Sequence, residues 1–277
     1  MIFDTHSHYT SHQFDADRTA LLDSLPAQGV CAVVDCGTDY ATTLKSLELA
    51  RQYPWFYTAA GIHPESLIEE DASTNTQFGG DWRAELAQLE TLLSDLHVVA
   101  VGECGLDYHW PVPKDAQLAM FEAHLALAAK HDMPVLVHDR EAHADTYALL
   151  AQYRPKGIVH CFSGSAPDAV RLAEQGMYIG FGGVLTFANA RKTVEAAAAL
   201  PLERIKGYRK GHKLTQENMA ESLRISPRSY AYLEKGDNGC SATTLMFFFL
   251  ILTEEELLQM LADFRALVEA EEYVAAG

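Results

Sequence analysis

The chain has 277 residues, 48% of them hydrophobic, and a formal net charge of −17. That length and apolar content allow one large domain, or a domain with a small module, around a sizeable core. The charge excludes a protein that holds nucleic acid by overall attraction, so phosphate binding would need a local basic patch or bound cations. The five cysteines (Cys31, Cys36, Cys104, Cys161 and Cys240) contain no C-x-x-C pair, which argues against a zinc ribbon or a disulfide framework. Reduced thiols and an opening without a signal-peptide pattern give a cytoplasmic location as the expectation. No membrane span is expected, because the longest apolar run, 245–252, is far short of the ~20 residues needed to cross a bilayer.

In chain order, short β-rich runs alternate with amphipathic helical patterns up to about residue 200. The strands read as 2–6, 30–37, 56–62, 98–103, 135–138, 158–160 and 178–182, with helices between them, for example 39–53, 82–93, 116–131 and 167–175. Near-continuous apolar strands separated by helices predict a parallel sheet covered on both faces. Polar residues close these strands repeatedly: His6 and His8, His63, Glu103, His138 and His160. Chemistry-bearing residues at the ends of several strands favour a (β/α) barrel over an open sheet with a single switch point. Only seven strands are found, so the fold class is α/β, a TIM-type barrel lacking its eighth strand. After residue 200 the pattern changes to consecutive short helices. The expected division is a barrel over 1–200 and an all-α module over 201–277.

The strand-end residues have metal-ligand chemistry. His6 and His8 are two apart, and the strand period of two sets both imidazoles on one face. Glu103 emerges from an apolar strand, where a carboxylate is costly unless it is paired or bound to a cation, and its two oxygens can bridge two ions. His138 and His160 each close an apolar strand. Any one of these alone reads as a satisfied polar side chain; together they read as a binuclear site for divalent cations (Mg, Mn or Zn). His138 and His160 must be neutral to ligate, so metal affinity is expected to fall below about pH 6. Gly102 and Gly105 permit close backbone approach beside Glu103. Cys104 and Cys161 neighbour two of the ligands and are read as packing residues.

The motifs in order are F-D-T-H-S-H at Phe3–His8, G-I-H-P at Gly61–Pro64, G-E-C-G-L-D-Y at Gly102–Tyr108, P-V-L-V-H at Pro134–His138, H-C-F-S-G at His160–Gly164 and G-F-G-G at Gly180–Gly183. This set resembles the TatD family over residues 1–205. The resemblance implies metal-dependent phosphodiester hydrolysis of DNA, as a deoxyribonuclease or 3′–5′ exonuclease. It also implies that His6 and His8 hold one metal, that His138 and His160 hold the second, that Glu103 bridges them, and that His63 contacts substrate phosphate. The family carries a further aspartate ligand in a motif resembling L-E-T-D. Here the segment ending at Ile205 runs into Lys206-Gly207-Tyr208-Arg209, and no L-E-T-D follows.

Residues 214–236 resemble a Cro/C1-type helix-turn-helix. The resemblance rests on Leu214-Thr215-Gln216-Glu217-Asn218-Met219-Ala220-Glu221-Ser222-Leu223, Ile225-Ser226, Tyr230, Leu233-Glu234 and Gly236, with 201–210 as the first helix. Thr215 and Ser226 read as N-caps, Pro227 as an N1 proline and Gly236 as a helix stop. The resemblance implies DNA contacts from Gln216, Arg228 and Ser229 and phosphate contacts from Lys210, Lys213 and Arg224. The run 245–252 reads as a core or dimerisation helix, and 253–273 as an acidic amphipathic helix with a structural or homodimer-forming role. The function expected is a metal-dependent hydrolase of DNA; the alternative is a DNA-binding protein whose barrel is catalytically inactive.

Overall fold

The computed structural model describes residues 2–235, 248 and 251–253. The run 245–252 lies largely outside these residues, and Gly236 and nearly all of 253–273 lie wholly outside them. The chain divides into two compact units, and their described parts are residues 2–161 with 175–180, and residues 162–174 with 181 onward.

The first unit contains a curled parallel sheet of seven strands in the order β1 to β7. These are β1 (Ile2–Ser7), β2 (Val30–Cys36), β3 (Phe56–Ala60), β4 (Val98–Asp107), β5 (Val135–Arg140), β6 (Gly157–Val159) and β7 (Met177–Ile179). Each strand pairs in parallel with the next in sequence, from Ile2↔Val30 through Val159↔Ile179. Among the described residues β1 and β7 are each paired on one side only, as the missing eighth strand predicts. The helices α1 (Arg18–Ser24), α2 (Tyr40–Ala50), α3 (Ser73–Thr76), α4 (Trp82–Leu92), α5 (Lys114–His131) and α6 (His143–Tyr153) lie between the strands in sequence.

Two apolar layers follow from the strand period. Val34, Cys36, Tyr57, Ala59, Ala100 and Leu136 form one cluster, contributed by successive strands. Ala60 and Ile62 face the other way, packing with Leu47 of α2, Leu86 and Leu89 of α4, and Met120 and Leu127 of α5, and a register shift between Val98 and Ala100 lets Val98 join this second cluster. The second helix starts at a side-chain cap: the Asp39 carboxylate accepts from Thr42 N at 2.7 Å, as N-cap chemistry predicts.

β4 is longer than the sequence pattern suggests. It continues four residues past Glu103 because β5 also runs on, with Gly105↔His138 and Asp107↔Arg140 in register. Gly105 makes that pairing feasible. Its φ is +146°, and a Cβ there would lie 2.0 Å from the His138 carbonyl oxygen.

The second unit is helical: α7 (Ala166–Glu174), α8 (Arg191–Gly211), α9 (Gln216–Ser222) and α10 (Pro227–Lys235). α8 is a single 21-residue helix that runs through Pro201, so the change in sequence texture falls inside a helix. The segment 201–210 is thus the last half of a longer helix. Ile205, Met219, Ala220, Leu223, Tyr230, Leu233 and Phe248 form a buried cluster joining α8, α9 and α10. The side chain of Thr215 accepts from Asn218 N, and Ser226 Oγ accepts from Ser229 N; these are the caps that the sequence predicts. Arg209 donates to both carboxylate oxygens of Glu234, at 3.0 and 2.5 Å. Among the described residues no helix is long and apolar enough to cross a membrane.

Candidate metal centre

His6 is on β1, and His8 lies one residue past its end. Glu103 is on β4, His138 on β5, and His160 immediately after β6. The parallel sheet carries all of them to the same end of the strands, and their side chains meet. Glu103 is 2% exposed at the centre of the group. Its Oε2 faces His8 Nε2 at 3.1 Å and His6 Nε2 at 3.3 Å, and those two nitrogens are 3.0 Å apart. Its Oε1 faces His160 Nε2 at 2.6 Å and His138 Nδ1 at 3.0 Å. One carboxylate therefore offers each oxygen to a separate histidine pair.

Neighbouring groups set the tautomers. His8 Nδ1 donates to the Cys36 carbonyl at 3.1 Å, which leaves the Nε2 lone pair aimed at Glu103 and His6. His138 Nε2 donates to Asp107 Oδ2 at 2.9 Å, leaving Nδ1 aimed at Glu103 and His160. An imidazole whose far nitrogen donates to a carboxylate or carbonyl is the arrangement that orients and strengthens a metal ligand. Lone pairs converging at about 3 Å repel one another unless a proton or a cation lies between them. The imidazole and carboxylate donors thus fit divalent zinc or manganese.

His63 differs from the others. Its Nδ1 accepts from Glu65 N at 3.2 Å, so the ring proton sits on Nε2, which points towards Glu103 Oε1 at 3.7 Å. Burial lowers its pKa to about 4. His63, Glu103 and His138 do lie close enough to hold an ion, as do His6, His8 and Glu103. The tautomer makes His63 a neutral hydrogen-bond donor at the edge of the site rather than a ligand.

The electrostatics are those of a charge centred on Glu103. Burial acts to raise the Glu103 pKa, but the imidazoles, His160 first, hold it well below the usual carboxylate range. Burial lowers His6 to about 3. For His138 burial is outweighed by Asp107 and Glu103, which push it up to about 9, and Glu103 pushes His160 up to about 10.

Several supporting residues have no role in the sequence reading. Asp107 shares a face of β4 with Glu103, four residues on, and the signal for it is the acid within G-E-C-G-L-D-Y. Asp35 is buried on β2 and accepts from Tyr9 N and Ser7 Oγ, tying the His6–His8 segment to the neighbouring strand; burial raises it to about 6. His124 is buried on α5, where Nδ1 donates to Met120 O at 2.8 Å and Nε2 accepts from Ile62 N at 3.0 Å. It anchors the segment that leads to His63. Of the cysteines read as packing residues, Cys104 is buried but Cys161 is exposed. Cys161 has φ +43°, so the strand alternation that should turn its side chain inward does not extend to it.

Gln216, Arg228 and Ser229 are all exposed in the helical unit. Gln216 Nε2 donates to Glu234 Oε2 at 3.0 Å, Arg228 donates to the Tyr232 hydroxyl at 3.3 Å, and Ser229 Oγ lies 2.8 Å from Ser226 Oγ. Lys210, Lys213 and Arg224 are also exposed.

The sequence pattern of the family described as TatD related DNase matches residues 3–205. The chain belongs to this family. Its TatD relatives include an uncharacterized metal-dependent hydrolase, YabD, from Bacillus subtilis, 34% identical over 209 residues that cover 74% of this chain and 78% of that protein. A 3′-5′ ssDNA/RNA exonuclease TatD from Cronobacter turicensis is 35% identical over 207 residues, covering 73% of each. The crystal structure of YjjV, a TatD homologue from Escherichia coli K12, superposes with a TM-score of 0.64 at 32% identity, covering 73% of this chain and 75% of that one. This TatD-family chain is accordingly a metal-dependent hydrolase by family, with the His/Glu cluster where its strands converge.

Proposed function

We propose that the chain hydrolyses phosphodiester bonds of DNA, with single-stranded DNA as the substrate to test first. In this reading His6, His8, Glu103, His138 and His160 hold two divalent cations, Mg, Mn or Zn, with the imidazole donors favouring Zn or Mn. The observation that carries it is the split of Glu103, one oxygen to His6 and His8 and the other to His138 and His160. The Cronobacter turicensis relative, a 3′-5′ ssDNA/RNA exonuclease, supports the substrate class. Divalent cations held there would neutralise non-bridging phosphate oxygens and acidify a water. The protein supplies the rest. Glu103 spaces the two histidine pairs, Asp107 fixes the His138 ring, and His63 directs a neutral N–H at a phosphate oxygen. The barrel, residues 1–200, carries this chemistry without the aspartate of L-E-T-D.

The test is metal analysis and hydrolysis of single-stranded DNA by the full chain. About two ions per chain and cleavage abolished by Glu103→Ala are expected. Metal-free protein that never cleaves would overturn the reading.

A second reading rests on α9 and α10. Their capped starts, with Arg228 and Ser229 in the exposed first turn of α10, suit a duplex-binding module over 201–277 that uses Gln216, Arg228 and Ser229. In that case the barrel is catalytically silent, and pairing of two chains through the C-terminal segment would match a two-fold DNA site. A gel shift of duplex DNA without hydrolysis supports this reading; no shift at low or moderate salt rejects it.

A further inference from the structure

β4 and β5 do not stop at the metal centre. They continue to Asp107 and Arg140, which pair in register, and Tyr108 N donates to Arg140 O at 2.9 Å. Arg140 follows His138 by two residues, so it lies about 7 Å farther along the same strand and on the same face. Its guanidinium is exposed and lies 6.0 Å from the centroid of the Trp110 ring. Among the described residues no carboxylate forms an ion pair with it.

Trp110 keeps 43% of its surface in solvent, a costly exposure for an indole. The ring is nevertheless held in place. His109 meets it edge to face at 5.1 Å, His109 Nδ1 in turn lies 3.0 Å from Glu141 Oε1, and the Glu65 carboxylate lies near the indole. Glu65 is two residues past His63, in the segment that follows β3. Segments at the ends of three consecutive strands therefore contribute to one spot beside the candidate metal centre: an acid near the ring, the ring itself, and an exposed guanidinium whose charge reaches Glu65 and Asp107 but forms no direct ion pair with either.

We infer that Trp110 and Arg140 form a nucleotide subsite, in which the indole face stacks an unpaired base and the guanidinium takes the phosphate that adjoins the scissile one. This inference rests on the hydrolase reading above and deepens it. A base in a duplex has both faces covered by its neighbours, so an indole platform selects single strands. Arginine provides the paired N–H geometry that phosphate oxygens accept, and it supplies local positive charge on a chain whose net charge is −17.

The experiment uses the full chain and a fluorescein-labelled oligothymidylate of about ten residues, a length within the usual single-strand site range. Binding is followed by polarisation, first in EDTA and then with calcium, alongside hydrolysis with the active metal. Trp110→Ala and Arg140→Ala are each expected to weaken binding about tenfold and to raise KM to match, with kcat and metal content held. Trp110→Tyr should restore most of the affinity. An oligomer with abasic sites should bind wild type as weakly as Trp110→Ala binds oligothymidylate. Unchanged affinity in both alanine variants overturns the subsite, as does an equal Trp110→Ala loss on the abasic oligomer. If wild type cleaves nothing yet the variants lose binding, the hydrolase reading fails and the subsite stands. If wild type cleaves and the variants bind normally, the subsite fails and the hydrolase reading stands.

Discussion

The two units treat polar side chains in opposite ways. In the strand unit, ionisable groups are taken out of water and aimed at one another: Glu103, Asp107 and Asp35 are buried, and imidazoles from three strands surround a single carboxylate. In the helical unit, exposed Thr215 and Ser226 cap helix starts at the surface, and one partly buried ion pair, Arg209 with Glu234, ties α8 to α10. The helical arrangement contributes modestly and locally to stability. The strand arrangement contributes little without a cation, because desolvating so many donors costs more than their mutual contacts return.

That contrast can be broken, and the largest expected effect is at Gly105. Gly105→Ala would drive a Cβ against the His138 carbonyl at a φ that L-residues avoid, and should cost about 4 kcal/mol of stability. Chemical denaturation measures it; a loss below about 1 kcal/mol would mean that β4 and β5 can part without consequence. Next is acid sensitivity. His124 is fully buried and neutral, with its pKa lowered to about 4 by burial. Its folded pKa is below the unfolded value of 6.5, so its contribution is present above about pH 6.5 and lost as pH falls towards 4. The loss amounts to about 3 kcal/mol. His124→Gln, which retains an acceptor for Ile62 N, should flatten the pH dependence of the melting temperature in that window. If wild type and variant track each other from pH 7 to pH 4, the account is wrong.

A smaller effect sharpens the comparison at the metal centre. Asp107→Asn should keep the fold but weaken metal binding by roughly ten- to a hundredfold, because the far nitrogen of His138 loses its anionic acceptor. Competition with a chromogenic chelator reads this directly, and unaltered affinity would remove Asp107 from the site. The smallest effect is in the helical unit. Thr215→Ala should lower stability by about 1 kcal/mol and leave metal content untouched.

Much of the strand unit is legible in the sequence because its signals are short-range. Apolar runs ending in His or Glu give the strands and their functional end, and parallel pairing then makes His6, Glu103, His138 and His160 neighbours. What is not legible depends on distances between segments. Nothing local assigns Asp107 to His138, or His124 to Ile62, since each pair joins different elements. Cys161 is not legible for the complementary reason: it lies two residues past the end of β6, where the backbone turns and strand alternation no longer applies. The capped starts of α9 and α10 are legible from Thr215 and Ser226-Pro227. The continuity of α8 is not, because Pro201 inside a helix runs against propensity.

One side of β1 is unpaired among the described residues, and this bears on the candidate metal centre. Among the described residues β1 is hydrogen-bonded to β2 alone, whereas β5 lies between β4 and β6. Local fluctuations release an outer strand at lower free energy than a central one. Amides around His6 should therefore exchange with deuterium before those around His138. The two histidine pairs that share Glu103 are alike in chemistry but unequal in lifetime, and an ion would leave first from the side whose ligands ride on the strand that frays.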